Sequence, residues 1–491
     1  MGLECEVTQY VYKGYYGWGI MFREKIPIKG LAVTFNDVVL LPGKATLDPI
    51  SIDTSTKVSR SVSINIPLVS SPMDTVTEDA LAIALARLGG VGVIHRNMTI
   101  NDEVNAVKAV KDASPYPVIP FSLNPLMSSE EAMAELRRLN LDTLPIVDEG
   151  RVIGYIRRSR LLTGGRLIEL AEKPVMAPVG SSGDELVKIM RENGTDTVAL
   201  VDKDNVFIGI ASYYDLNYKP PFKPATDGEG RLIVGAAVSP FDVERAVKVS
   251  KYADFLVVDV AHVDNENALT ALAKLVKETP VDVIVGNLGT YDGAVDAITR
   301  VDPIGGFRVG IASGSICSTG VVTGVAAPTL WAVAQVADAA LDYGLGSTPI
   351  IADGGIREPG DVVKAMAAGA WAAMMGRVFA QATESPSPII RVGNRLYKYY
   401  RGMASEGARA RRFAMDRYAP KVKNIEEGVE GLVPYRGDLA NIVREFVGGI
   451  QAALGYIGAS NTAEARVKGR FMIVTESGRG EVEPHDLVLN I

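Results

Sequence analysis

One phrase recurs along most of this chain: a short apolar run rich in Val, Ile and Ala, usually ending on Asp, Asn or Gly, followed by helical spacing. The runs occupy residues 66–74, 91–94, 232–236, 255–259, 283–287, 306–310, 350–354 and 372–376, with an earlier strand-like stretch at 38–42. Strands that are apolar on both sides must be covered on both faces, which is the situation of a parallel sheet wrapped by helices. So many units favour an α/β architecture of the (β/α)8 barrel type, whose chemistry collects at the C-terminal ends of the strands. A doubly wound sheet is the structural alternative.

The phrase stops near residue 113 and resumes near 232. Between them the chain repeats itself. Ser128-Ser129-Glu130-Glu131 opens a helix, followed by Leu144-Pro145-Ile146-Val147-Asp148 and Val152-Ile153-Gly154-Tyr155-Ile156; a second copy runs from Ser181-Ser182-Gly183-Asp184 through Val198-Ala199-Leu200-Val201-Asp202 to Phe207-Ile208-Gly209-Ile210-Ala211. Two such halves imply a pseudo-twofold module. Each resembles a cystathionine-β-synthase-type (CBS) repeat, pairs of which bind adenine or guanine nucleotides. That resemblance implies ribose contacts from Ser212 and Asp215 in the second copy and finds Arg160 in place of the acid in the first. The expected division is an N-terminal arm over 1–30, a catalytic barrel with flap and C-terminal segment over 31–112 and 225–491, and a regulatory insert over 113–224.

Composition removes several classes of function. A chain of 491 residues, 47% hydrophobic and 22% charged, can bury one large core and a smaller one. Its formal net charge of -7 argues against a nucleic-acid partner, so any phosphate must be held locally by loops and helix ends. No apolar run reaches the roughly 18 residues of a membrane span, and Met1-Gly2-Leu3-Glu4-Cys5 lacks a signal pattern, so a cytoplasmic location is expected. Two cysteines and three histidines suit neither a disulfide framework nor a zinc cluster.

One of those cysteines has informative neighbours. Cys317 lies in Gly314-Ser315-Ile316-Cys317-Ser318-Thr319, just after the glycine-broken strand at 306–310. A free thiol titrates near about 8.5, so a useful thiolate at neutral pH needs backbone donors, a helix N-terminus or a cation. A Gly/Ser loop ahead of a helix offers such donors, and the same amides suit a phosphate. A lone cysteine elsewhere is small core filler.

Further motifs follow in a fixed order: Ser71-Pro72-Met73-Asp74, His95-Arg96-Asn97-Met98, Gly286-Asn287, the Cys317 loop, Ala352-Asp353-Gly354-Gly355, Met374-Met375-Gly376 and Tyr400-Arg401-Gly402-Met403. In that order they resemble the inosine-5′-monophosphate (IMP) dehydrogenases, from about Val33 to the C-terminus. The resemblance implies oxidation of IMP at C2 by NAD⁺, with Cys317 as nucleophile and water hydrolysing the covalent intermediate to xanthosine monophosphate (XMP), a step of guanine nucleotide biosynthesis. It implies that Thr319 handles the water and that Arg417 and Tyr418, on a flap, activate it. Asp353 would accept from the ribose hydroxyls. Ser315, Gly355, Gly376, Arg377 and Tyr400 would hold the phosphate. Ser71 and Met73 would pack the nucleotide, Asn287 would lie at its rim, and Gly402, Met403 and Glu427 would line the purine side. Asp259 and His95 would serve the dinucleotide. Backbone carbonyls of Gly314 and Cys317 would hold a potassium ion, and the assembly would be a homotetramer.

Some positions depart from that pattern. Ala312 stands where a glycine usually offers its carbonyl to the cation, which leaves potassium use open, and Val263 and Gly320 replace the usual cofactor-loop Gly and post-cysteine Arg. Ser405-Glu406 resembles the sister family, the GMP reductases, in which a Glu works with the Thr after the Cys to release ammonia from GMP with NADPH. Asp416-Arg417-Tyr418 favours the dehydrogenase. A third reading, from a different class, is a non-catalytic protein that senses purine nucleotides through the insert. His262 and Asp264-Asn265-Glu266-Asn267 read as a solvated loop.

Overall fold

The structure, a computed structural model, describes residues 31–217, 223–411, 413 and 426–484. Arg417, Tyr418 and the arm over 1–30 lie outside the described residues. The chain divides into two compact units. One comprises the residues up to Lys111 together with those from Ile233 onward, and the other is Asp112–Leu232.

The larger unit is built on eight parallel strands: β1 (Leu68–Ser70), β2 (Val91–Ile94), β3 (Val234–Val238), β4 (Phe255–Val258), β5 (Asp282–Leu288), β6 (Gly306–Val309), β7 (Ile350–Asp353) and β8 (Ala372–Met375). Each pairs with the next in chain order, and β8 returns to β1 with Ala373 opposite Leu68 and Met375 opposite Ser70, closing the barrel. Closure leaves no sheet edge to protect. Nearly every strand residue is buried, as the apolar runs require. The expected strand at 38–42 is not part of this sheet. Val38–Leu40 pairs antiparallel with Phe471–Ile473 outside the barrel, a short run whose neighbours in sequence do not carry it into the closed cylinder.

Helices α1 (Asp79–Arg87), α2 (Ile100–Asp112), α3 (Val243–Val249), α4 (Glu266–Glu278), α5 (Tyr291–Arg300), α6 (Thr329–Asp342), α7 (Pro359–Ala367) and α8 (Leu439–Tyr456) alternate with the strands. Their starts are set locally. Asn265 caps α4 by accepting from the amides of Asn267 and Ala268, and Thr290 caps α5 through Gly293 N. Where α1 lies on β2, Gly92 leaves room for it, since a Cβ there would sit 2.5 Å from Ala82 Cβ.

Unit Asp112–Leu232 enters between α2 and β3, and its far end runs beyond the expected 224 because Thr226 bridges Leu232 and the Asp227 carboxylate gathers the amides of Glu229 and Arg231. It contains two similar halves. Each has an eleven-residue helix, Ser129–Leu139 or Gly183–Asn193, followed by an antiparallel hairpin, Thr143–Asp148 with Arg151–Arg157 or Thr197–Val201 with Phe207–Ser212. The segments leading into the halves are exchanged: Ile119 pairs with Ile210 in the second, and Glu172 with Tyr155 in the first. Gly154 and Gly209 occupy equivalent places at these crossings, where a Cβ would come within 2.9 Å of Ala171 Cβ or 2.5 Å of Val118 Cγ1. Thr143 and Thr197 meet hydroxyl to hydroxyl at 3.0 Å between the halves. Ser212 Oγ donates to Asp215 at 2.5 Å, while Arg160 in the first half faces Glu172 at 3.6 Å.

Beyond β8, a three-stranded antiparallel sheet, Ile389–Val392, Arg395–Arg401 and Glu430–Pro434, rises over the C-terminal end of the barrel. Its middle strand is tied to the barrel by Arg401, which meets the buried Asp74 at 3.0 and 2.6 Å, while Asn97 Nδ2 donates to the same carboxylate at 2.8 Å. Burial alone would raise the Asp74 pKa, but the Arg401 guanidinium and Asn97 outweigh it and hold it below its ordinary value. A carboxylate depressed in the folded state contributes stability above its unfolded pKa, and that contribution is lost as pH falls through the folded value. Asp74→Asn is therefore expected to cost about 3 kcal/mol at neutral pH and to flatten the loss of stability below about pH 4, as read by denaturant unfolding across a pH series; equal acid sensitivity in the two proteins would exclude this clamp.

Candidate active site

A pocket opens at the C-terminal ends of the barrel strands, and most of the expected residues line it: Ser71, Met73, Asn287, Gly314, Ser315, Cys317, Thr319, Asp353, Gly355, Gly376, Arg377, Tyr400, Gly402, Met403 and Glu427. They come from the C-terminal ends of β5 and β7, the loops after β1, β6, β7 and β8, and the sheet above them. Barrel closure brings the first and last of these together, with Ser71 N donating to Met375 O at 3.1 Å.

The Cys317 loop leaves β6 through Gly310, whose φ is 138° and where a Cβ would fall 2.1 Å from Asp353 O. Only glycine lets the β6 and β7 loops approach so closely. Ala312 holds φ 59°, a left-handed conformation that costs an L-residue about 1–2 kcal/mol. The Gly314 carbonyl then accepts from Cys317 N at 3.0 Å, closing a turn that presents the thiol. A second segment fixes the loop from above: Ser318 N donates to Glu427 O at 3.1 Å and Val429 N to Ile316 O at 3.0 Å, with Gly402 N on Val429 O at 3.0 Å. Gly402 and Gly428 face each other there, a Cβ on Gly402 lying 3.1 Å from Gly428 Cα.

At the thiol itself, Cys317 Sγ lies 3.2 Å from Thr319 Oγ1, which donates onward to Glu427 Oε2 at 3.0 Å. Glu427 is buried and Cys317 partly exposed. Opposite, Asp353 Oδ2 accepts from Asn287 Nδ2 at 2.9 Å and from Arg308 Nε at 2.8 Å. Asn287 also donates to Gly310 O at 2.8 Å, so it braces both the acid and the turn. Tyr400 lies over Gly376, its hydroxyl 3.8 Å from Met73 Sδ, and burial pushes its phenol well above the ordinary value, keeping it a proton donor at neutral pH. A Cβ on Gly376 would come 2.6 Å from that hydroxyl, so glycine keeps this corner open.

A second pocket shares Ala261, Ile311, Thr319 and Glu427 with the first and extends along α4 past Phe241, His262, Asp264, Asn267, Thr270 and Lys274. The stretch expected to be a solvated loop is exposed at His262, Asn265, Glu266 and Asn267, and it also lines this pocket where the cap at Asn265 starts α4. Asp259 and His95, expected to serve the dinucleotide, line neither pocket. Asp259 is 1% exposed and meets Arg308 at 3.1 Å and Arg96 at 3.5 Å, while His95 is fully buried with Nδ1 accepting from Asn97 N and Nε2 3.3 Å from Glu78. Val263, buried, donates its N–H to Asn287 O at 3.1 Å. Glu406 is exposed, opens a short helix over Glu406–Ala410 and does not line the pocket. Arg308 was not singled out by sequence, though a charge inside an apolar strand was its signal.

Comparison with known proteins agrees with this geometry. Residues 32–485 match the IMP dehydrogenase / GMP reductase domain family. The chain is 44% identical to the inosine-5′-monophosphate dehydrogenase of Korarchaeum cryptofilum, spanning 93% of this chain and 97% of that one, and 41% identical to that of Thermoplasma acidophilum, spanning 96% and 97%. Among solved structures, a cysteine-to-alanine variant of GMP reductase from Trypanosoma brucei in complex with guanosine 5′-monophosphate superposes with a TM-score of 0.72 at 30% identity, covering 95% of this chain and all of that one. With its barrel, its cysteine loop and its full-length relatives in agreement, this chain belongs to the IMP dehydrogenase / GMP reductase family.

Proposed function

We propose that the protein oxidises IMP to XMP with NAD⁺ and water through a covalent intermediate on Cys317. The observation that carries this reading is the chain Cys317, Thr319, Glu427 at the junction of two pockets, one suited to a nucleotide and the other to a dinucleotide. The Cys317 thiolate adds to C2 of the purine, and the C2 hydrogen departs as hydride to the nicotinamide, which supplies the oxidant. The carbon left bound to sulfur is then attacked by water, the sulfur leaves, and XMP is released. Splitting a difficult substitution into two steps is what a covalent nucleophile provides.

In this reading Asp353 takes the ribose hydroxyls, with Asn287 and Arg308 orienting its carboxylate. Ser315, Gly355, Gly376, Arg377 and Tyr400 form the phosphate corner, where the Tyr400 hydroxyl and backbone amides donate. Ser71, Met73, Gly402 and Met403 enclose the base. Thr319 and Glu427 form a proton path from the water near C2 to a buried carboxylate. The dinucleotide occupies the second pocket, with Asp259 directly before its lining residue Val260.

Reductive deamination of GMP with NADPH is the second reading, favoured by the likeness to the Trypanosoma brucei reductase. Against it, the hydroxyl of Thr319 is engaged by Glu427, and Glu406 is exposed and does not line the pocket. Products decide between them. IMP with NAD⁺ should yield NADH and XMP, and Cys317→Ala should abolish turnover; ammonia and NADP⁺ from GMP with NADPH, in the absence of NADH from IMP, would overturn the proposal.

Glu427→Gln is expected to leave the rapid burst of NADH intact and to slow steady-state turnover about a hundredfold, because only the hydrolytic half loses its proton acceptor. Stopped-flow absorbance separates the two phases, and an unchanged steady state would remove Glu427 from the hydrolysis. A monovalent cation on the carbonyls of Gly314 and Cys317 is part of the same reading, since Ala312 keeps the left-handed turn that a glycine would adopt there. Exchange of KCl for choline chloride should then lower turnover; equal rates in the two salts would discard the cation.

A further inference from the structure

The barrel interior carries a line of alternating charges that the chemistry above uses only at one end. Arg96, just past β2, is 2% exposed and donates from Nη2 to Asp259 O at 2.9 Å, with Nε 3.5 Å from Asp259 Oδ2. Asp259 Oδ1 accepts from Arg308 Nη1 at 3.1 Å, and Arg308 Nε reaches Asp353 at 2.8 Å. Only the last member, Asp353, and Arg308 face the nucleotide pocket; Arg96 and Asp259 do not.

We infer that Arg96 is a positioning residue for ribose recognition, acting on Asp353 through Asp259 and Arg308. This rests on the reading of Asp353 as the ribose acceptor. Arg308 stands between two carboxylates that both demand its charge. Buried ions are tolerated only when paired, and without Arg96 this trio would carry a net negative charge inside the barrel. With Arg96 the four charges sum to zero. The far oxygen of Asp259 then faces the Arg96 guanidinium across 3.5 Å as a charge pair without a hydrogen bond, and Arg308 stays extended with Nε on Asp353 Oδ2, leaving the remaining lone pairs of that carboxylate for the pocket. The other acid near Arg96, Glu103, takes its hydrogen bond from Arg245, whose guanidinium also donates to Met98 O, and the Arg96 charge acts on it as well as on Asp259.

Calorimetric binding of IMP and of 2′-deoxy-IMP tests the relay, because a general loosening of the fold weakens both nucleotides alike. Wild type should favour IMP. Arg96→Met should lose about tenfold of that preference, the size expected for members of one coupled network, while its affinity for 2′-deoxy-IMP and the rate of Cys317 alkylation by iodoacetamide stay near wild type. Arg96→Lys should recover most of the preference. If Arg96→Met does not fold, Arg96→Gln, which keeps a polar group beside Asp259 but no charge, should show the same selective loss. Unchanged preference in the folded variant, or equal weakening of both nucleotides, would overturn the inference. A wild type indifferent to the 2′-hydroxyl would instead remove the ribose role of Asp353, and the relay with it.

Discussion

The pairing of β8 with β1 is the constraint on which everything else in the catalytic unit depends. Ala373 N donates to Pro67 O at 2.9 Å, Ser71 N to Met375 O at 3.1 Å, and the two strands lie at opposite ends of the sheet in sequence. Only when they meet does Met73 come beside Gly376 and Tyr400, so that residues from five strand ends converge on one pocket. Closure also removes water from the interior, which raises the value of every charge pair inside and makes unpaired charges costly. The interior arginines and carboxylates follow from that: they are permitted because they alternate.

Above the barrel, position is set by backbone approach rather than by apolar packing. Gly310 and Gly376 each mark a place where a Cβ would collide with a neighbour, and at Gly402 and Gly428 two segments pass closely enough to crowd one. These contacts carry the Glu427 carboxylate to Thr319 and the Cys317 loop under the returning sheet. The site is therefore held by hydrogen bonds between loops from distant parts of the chain, on a rigid cylinder of strands, as suits a residue set that must bind, react and release.

Much of this was legible beforehand. The apolar runs with polar ends located seven barrel strands to within a few residues and most of the first pocket, since buried parallel strands and their loop glycines leave plain patterns. The first run, 66–74, was too long because Ser71-Pro72-Met73-Asp74 is loop, and Val38–Leu40 was drawn into the grammar although it pairs elsewhere. Both errors come from reading a short apolar stretch without knowing its partner. The second pocket was missed because Asp264-Asn265-Glu266-Asn267 has a loop composition, and its role as a helix start facing a cavity depends on what stands opposite.

By itself the sequence determined the class of fold, the interruption by a two-fold repeated unit, and which cysteine stands in a glycine-rich loop after a strand, because periodicity and glycine placement are local properties. Only the tertiary structure decided which acid meets the Thr319 hydroxyl beside that thiol. Glu406 and Glu427 are equally available partners for Thr319 along the chain, and closure of the loops puts Glu427 at 3.0 Å and leaves Glu406 at the surface. It likewise decided that Asp259 faces Arg96 and Arg308 inside the barrel. The pairing of buried charges is a matter of distance between strand ends, and no spacing within one strand encodes it.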